Sequence, residues 1–303
     1  MQGTSKLDYL KAFCLVLAAG TLWSFGALLV RYMDAAQNYQ WQYLFYRGTT
    51  VAILLLIYLL AKEGLAVVAS FKRTGLPEII GACGLLAAFS GFIISITVTT
   101  AANTLFMLAA APFIAAFLGI VLLQEKVRLI TWVAMIIALI GVLIMVVEGM
   151  EAGNLVGNLI ALVSALGFAI FSVSLRFRRD TPKFTTIALA GMLCALVTLL
   201  VIFFDNGTLA MPLRNVCLSV LHGFVVGTGL ILYSQGSKLL PAAQLTLLAM
   251  VEVVGGVLWV YLPIFGIHEV PSVLTVIGGM VVLSAILIDG ASVRQPPPLL
   301  KSS

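Results

Sequence analysis

The chain has 303 residues, of which 62% are hydrophobic and only 10% charged, with a mean hydropathy of +1.15. Soluble proteins carry roughly a quarter of their residues as charge, so this composition excludes a soluble globular domain and indicates a polytopic membrane protein. The net charge of +5 then reports loop topology, not an affinity for nucleic acid.

A span needs roughly 20 mainly apolar residues. Ten segments qualify: 9–31, 41–61, 77–97, 100–123, 129–147, 153–176, 184–204, 212–235, 241–265 and 271–288. Helices are expected throughout, because runs of this length lack the ten-residue alternation of barrel strands. In the first run, LAAG (17–20) resembles a signal-peptide cleavage site. The apolar stretch continues through Val30, too long for a signal-peptide core, so it reads as a retained first helix. Its WSFG motif carries Trp23 and Ser24, and the second span holds Arg47 about two turns from its outer end. Ser90 follows Phe89 in the third span, and Asn103 opens the fourth. Pro112, among Ala109, Ala111, Ala115 and Ala116, frees a carbonyl there and permits a kink. Phe168 is central in the sixth span, while His222, Val226, Gly229 and Tyr233 form a partly polar stripe in the eighth. The ninth contains LTLLAMVEVVGGVLWVY (245–261), an apolar run with Glu252 near its middle. Cys14, Cys83, Cys194 and Cys217 all lie inside apolar runs without C-x-x-C spacing, and read as small packing residues.

With the amino terminus in the cytoplasm, 14 of the 17 basic residues fall on the cytoplasmic side. Only Arg31 and Arg214 fall on the far side, and Arg47 lies within a span. Positive loops stay inside, so both termini are expected in the cytoplasm and RFRRDTPK (176–183) reads as a cytoplasmic anchor.

AANTLFMLAAAPFIAAFLGIVLLQEKV (101–127) parallels AAQLTLLAMVEVVGGVLWVYLPIFGIHEV (242–270). The Ala-Ala openings are offset by 141 residues, as are the acidic-Gly pairs Glu148-Gly149 and Asp289-Gly290. The expected fold is therefore an all-α integral membrane protein of ten helices in two five-helix repeats, 1–151 and 152–290, with a disordered cytoplasmic tail, 291–303. Five is odd, so the second repeat enters the membrane inverted, an arrangement that places a substrate site near the midplane.

TAANTLFMLAAAPFIAAFLGIVLLQEKV, LVLAAGTLWSFGALLVRYM (15–33), Arg47, GNLIALVSALGFAIFSVSLRFRR (157–179) and LWVYL followed by HEVPSVLTVIGGMVVLSAIL together resemble the EamA family of the drug/metabolite transporter superfamily. The resemblance covers essentially the whole chain and is most similar to YddG-type amino-acid exporters. YLPIFGIHE departs from it, being about three residues longer than the usual run into the final Glu. The resemblance implies a ten-helix inner-membrane carrier for small metabolites, its cavity lined by helices one, three, four, six, eight and nine.

The residues themselves offer a functional and a structural reading each. A midplane charge costs roughly 2.5–3.5 kcal/mol on insertion scales, so Glu252 should be buried or wet. It could recognise a substrate ammonium or carry a proton, or it could bond a neighbouring helix. Leu245, Leu248, Ala249, Gly255, Gly256 and Trp259 share its helical face, with Val251, Val254 and Leu258 expected toward lipid. Arg47 is expected to snorkel outward or bond helix-end carbonyls, with capture of a substrate carboxylate as the functional reading. His222 suits proton relay, substrate bonding or helix packing; His268 falls in an outer loop. Trp23, Ser90, Asn103, Phe168 and Tyr233 are candidate cavity residues, or packing.

G-x-x-x-x-G-K and H-E-x-x-H are absent from the sequence, so neither ATP hydrolysis, a metal centre nor another cofactor is expected. The expected function is secondary export of amino acids, aromatic and hydrophobic ones included, or similar metabolites by alternating access. An exporter of hydrophobic cations using Glu252 is the alternative. A membrane-embedded enzyme built on Ser90 and His222 is the distant one.

Overall fold

The computed structural model describes residues 6–99, 101–147, 155–177, 184–261 and 272–292. Inside a bilayer the backbone has no water to bond, so long apolar segments satisfy their own amides as helices. The described elements are α1 (Lys6–Arg31), α2 (Gln40–Glu63), α3 (Val67–Lys72), α4 (Leu76–Val98), α5 (Ala101–Leu108), α6 (Ala111–Leu123) and α7 (Leu129–Val146). They continue with α8 (Leu155–Ser174), α9 (Phe184–Phe204), α10 (Leu213–Gly236), α11 (Ala242–Ala249), α12 (Val251–Tyr261) and α13 (Val273–Ala291). Among the described residues nine spans are long and apolar enough to cross a membrane, and the ninth expected one appears instead as the shorter apolar run Ala242–Gly256. The connection holding His268 and the tail from residue 293 onward lie outside the described residues, while Ala291, expected in the tail, ends α13.

Two expected spans are broken in the middle. The fourth divides into α5 and α6, where the Ala110 amide turns back to the Met107 carbonyl at 3.1 Å and that of Phe113 to Ala110 at 3.1 Å. Pro112 explains the break: it donates no amide bond and crowds the carbonyl one turn earlier. The ninth divides at Met250, whose amide reaches Leu247 at 3.1 Å while Val253 reaches Met250 at 3.0 Å. Leu108 and Ala249, which end α5 and α11, are separated by the same 141 positions as the sequence anchors.

The principal helix pairs are α4 with α8, α2 with α9, α7 with α13, and α1 with α10. Each joins a helix before residue 151 to one after it, so the two halves of the chain interleave and do not pack as separate bundles. Secondary contacts run from α1 to α12, from α8 to α5 and α6, from α2 to α10 and from α4 to α9. Small residues set the spacing. At the α7–α13 crossing, a Cβ on Gly278 would stand 2.4 Å from the Gly141 carbonyl oxygen and 2.5 Å from the Met145 nitrogen. Backbone on both sides leaves no side chain to yield. Gly278→Leu is accordingly expected to destabilise the protein by about 1–3 kcal/mol or more, read as a lower midpoint in thermal unfolding of the detergent-purified chain; an unchanged midpoint contradicts this packing.

Two sequence expectations change. Of the four cysteines only Cys194 is buried; Cys14, Cys83 and Cys217 are exposed on the outside of the bundle. Leu258 is exposed as expected, but Val251 packs on Gly20 of α1 and Val254 approaches Gly279 of α13, so these two helices cover part of the face expected toward lipid.

Candidate functional site

Three layers of side chains are stacked along α10. The first centres on His222, the second on Val226 and Tyr233, and the third on Ser237, just past the helix end. At 1.5 Å per residue, His222 and Tyr233 are ~16 Å apart.

In the first layer, the Tyr43 hydroxyl and His222 Nδ1 share a hydrogen bond between α2 and α10. The other edge of the imidazole packs against Gly26, where any side chain would collide with it. Both residues are buried. One turn along α2 from Tyr43 lies Arg47, also buried. It does not snorkel. Its guanidinium lies over the rings of Phe89 at 4.6 Å and Tyr43 at 5.4 Å. Nη2 donates to the Phe89 carbonyl at 3.4 Å, a long bond, and Nε is buried without a partner.

Glu252 stands in the first turn of α12, directly after the break. A carboxylate there complements the free amides of a helix start, which gives it a local structural rationale. It is partly exposed, and among the described residues no hydrogen bond or ion pair reaches it. The surroundings change across the break. Every residue of α11 is buried, whereas Val251 to Gly256 are all partly exposed. On α5, Leu105 to Leu108 are likewise partly exposed in succession, around a full turn.

The second layer is aromatic. Trp23 Nε1 donates to the Val226 carbonyl at 3.2 Å, and its ring meets Phe168 edge-on at 5.8 Å and Tyr233 at 5.3 Å. Phe168 and Tyr233 are 5.5 Å apart, with Phe171 behind at 6.1 Å from Tyr233. The Tyr233 hydroxyl bonds Ser172 Oγ at 2.7 Å. Beside this layer, Trp259 of α12 donates to Ser24 Oγ at 2.6 Å and stacks on Phe25 at 4.4 Å.

The third layer escaped the sequence reading. Glu125, between α6 and α7, receives Arg176 Nε at 2.7 Å and Nη2 at 2.6 Å, while its second oxygen accepts the Ala242 amide at 3.0 Å. Arg176 also donates to the Ser237 carbonyl at 2.6 Å. Both ions are buried, so Arg176 is a sealed core residue, not the exposed anchor expected of RFRRDTPK; residues 178–183 lie outside the described residues. Nearby, buried Asp289 accepts from Arg128 at 3.0 Å, from Thr131 at 2.7 Å and from Gln244, which also bonds Tyr9. Through Gln244, the start of α1 and the end of α13 meet at the same end of the bundle.

Trp23, Phe168 and Tyr233 thus come together, as do Arg47 and His222. Asn103 does not join them. It is buried in the first turn of α5, donating to Thr99 Oγ1 at 3.3 Å, within a polar seam where Thr99 bonds Asn158 and Ser95 bonds Thr104. Ser90 is half-buried on α4, and His222 Nδ1 bonds Tyr43, not Ser90. A repeated clue to the third layer was visible: Glu125 and Arg128 follow one expected span, and Asp289 closes another.

Residues 10–147 match the EamA-like transporter family. The EamA-like segment runs from α1 through the end of α7, which is the first of the two expected repeats. A solved crystal structure of another protein has the same fold, with a TM-score of 0.76 over 93% of this chain and 97% of that one, at 19% identity. No curated protein matches the chain.

Proposed function

We propose that the whole chain is an EamA-like secondary transporter that exports amino acids or similar small metabolites across the inner membrane by alternating access. The observation that carries this reading is Glu252: a partly exposed carboxylate without a hydrogen-bonded partner among the described residues, at the break of a helix in an otherwise apolar bundle. Intramembrane ionisable groups without structural partners mark substrate or ion pathways, and broken helices in matching positions of two repeats mark their binding sites.

The repeats are related by a pseudo-two-fold exchange. Swapping first-half and second-half helices turns α4–α8 into α10–α1, and α1–α12 into α8 with the broken α5–α6, while α2–α9 and α7–α13 map onto themselves. Because the repeats interleave, they are not the bodies that rock. The moving units are α1, α2, α10 and α11–α12 on one side, and α4, α5–α6, α8 and α9 on the other. The α2–α9 contact serves as the hinge, and α7–α13 backs the assembly.

The Glu125–Arg176 and Asp289–Arg128 layer closes one end, and the partly exposed stretches of α5 and α12 line the way to the other. Lys126, Arg128, Arg176 and Lys238 cluster at the closed end, which the excess of positive charge assigns to the cytoplasm. The sealed layer then holds the carrier open to the outside.

Proteoliposomes containing the protein are expected to exchange labelled amino acids at rates above empty vesicles. Glu252→Gln is expected to lower that rate by roughly 10- to 100-fold, the worth of one charge-assisted bond. Exchange equal to empty vesicles for every amino acid would remove the reading.

A further inference from the structure

We propose that the connection between α2 and α4 is a membrane-surface anchor that binds the phosphate headgroup of an anionic phospholipid through Lys72 and Arg73. This site lies outside the transport pathway proposed above and does not depend on the cargo.

Gln40–Lys72 is one apolar stretch of 33 residues. As a straight helix it would measure about 50 Å, against a hydrocarbon core of ~30 Å. The chain disposes of the surplus by turning. α2 ends at Glu63, and Gly64, with φ +56°, takes the left-handed backbone that favours glycine. Gly64–Ala66 makes one 3-10 turn, and α3 follows. The turn lies at the Glu125–Arg176 end of the bundle, because Gly81 in the opening turns of α4 faces Ser174, the last residue of α8.

This connection is apolar on both sides, which a segment bathed in water would not be. Val67 is buried, and Phe71, one turn on, packs against the core. The other side carries Leu65, 87% exposed, and Val68, 56% exposed, with Leu76 of α4 at 69%. Lys72 stands one turn beyond Val68 and Arg73 follows it, both exposed. Apolar groups and cations side by side on an outward face fit the boundary between acyl chains and headgroups. There the apolar groups sink and the cations reach up to phosphate.

The charges are arranged for an anion. Two carboxylates belong to the same region, and both are turned to its own donors. Glu63 accepts from the Ser70 hydroxyl at 2.5 Å, and Glu78 from the Gly75 amide at 2.9 Å. Lys62 lies over the rings of Tyr58 and Phe184, at 5.6 Å and 5.1 Å. Lys72 and Arg73 are left: among the described residues no ion pair reaches either. A phosphodiester supplies the missing charge, and its acyl chains cover Leu65, Val68 and Leu76. A soluble anion would leave those three in water, and a choline headgroup would set its own cation against the two basic groups.

The test uses the purified full-length protein in native mass spectrometry with two probes, dioleoylphosphatidylglycerol and dioleoylphosphatidylcholine. The wild type is expected to bind the anionic lipid roughly 25-fold more tightly, two cations at a charged headgroup contributing about fivefold each. Lys72→Gln with Arg73→Gln should erase that preference and leave the thermal midpoint in detergent unchanged. Lys11→Gln with Lys126→Gln removes as much charge from exposed positions at the same end, and should leave the preference intact. Leu65→Ser with Val68→Ser should weaken both lipids alike and keep their ratio. A wild type that binds the two lipids equally would overturn the site without recourse to any variant. Equal losses in the two charge pairs would overturn it in favour of a general effect of net charge. Displacement of the lipid by inorganic phosphate at equal concentration would overturn it too, because the acyl chains would then contribute nothing. Each of these failures leaves amino-acid exchange in vesicles untouched.

Discussion

Arg176→Met is expected to destabilise the protein by about 3–5 kcal/mol, because it takes the guanidinium away from a buried carboxylate. Glu125 would lose two guanidinium bonds of 2.6–2.7 Å beside the Ala242 amide at 3.0 Å, and the Ser237 carbonyl would lose its Arg176 donor. The double replacement Glu125→Met with Arg176→Met removes both charges together. It is expected to recover most of the loss, since apolar residues of similar volume commonly replace a buried ion pair at little cost. Thermal unfolding of the four proteins closes the cycle. A double variant no more stable than Arg176→Met would show that the ions do not act as a pair. Because this layer closes one end of the bundle, the single variant is also expected to expose Ser237 and Gln244 positions to aqueous thiol reagents when they are converted to cysteine, where the wild type protects them.

Trp23→Ala has the second largest expected effect, about 3–5 kcal/mol, as is usual for deleting a buried tryptophan. The indole fills the space between Phe168 and Tyr233 and caps the Val226 carbonyl at 3.2 Å. It also occupies the space that Gly229 leaves open, since a Cβ there would collide with the ring nitrogen. Trp23→Phe keeps an aromatic ring and gives up the hydrogen bond, so its loss should be near 1 kcal/mol beyond the difference in size. Melting midpoints distinguish the two. If both variants melt alike, the ring contacts carry little and the bond carries the effect.

The span positions were legible because each rests on some twenty consecutive apolar residues, a signal that local detail does not erase. The break in the fourth span was legible for the same kind of reason, as Pro112 announces it. The break at Met250 carries no proline and was not anticipated. Val251 and Val254, which simple periodicity turned to lipid, meet α1 and α13, because one segment's periodicity does not show which neighbours lie against it. The charged layer was hidden by a different cause. Glu125, Arg128, Arg176 and Asp289 sit at the ends of apolar runs, where charge normally meets water, and only tertiary packing encloses Glu125, Arg176 and Asp289 completely. Of the two structural roles expected of Arg47, snorkelling is not found and a bond to a backbone carbonyl is, that of Phe89 within α4, because distance from the helix start says nothing of the rings above it. Asn103 was expected as a candidate cavity residue, and the sequence did not show that Thr99 and Asn158 would occupy a seam around it.

The interleaving of the two halves of the chain bears on how the protein is made. Helices α1, α2, α4 and α7 emerge from the ribosome first, yet their main partners α10, α9, α8 and α13 are encoded in the second half. The glycine-lined seams of the early helices must therefore rest against lipid until the later ones are inserted, and the Glu125 carboxylate must wait for Arg176. Maturation is a late event that begins when α8 arrives beside α4, and a polypeptide ended after Val146 holds only half of each interface.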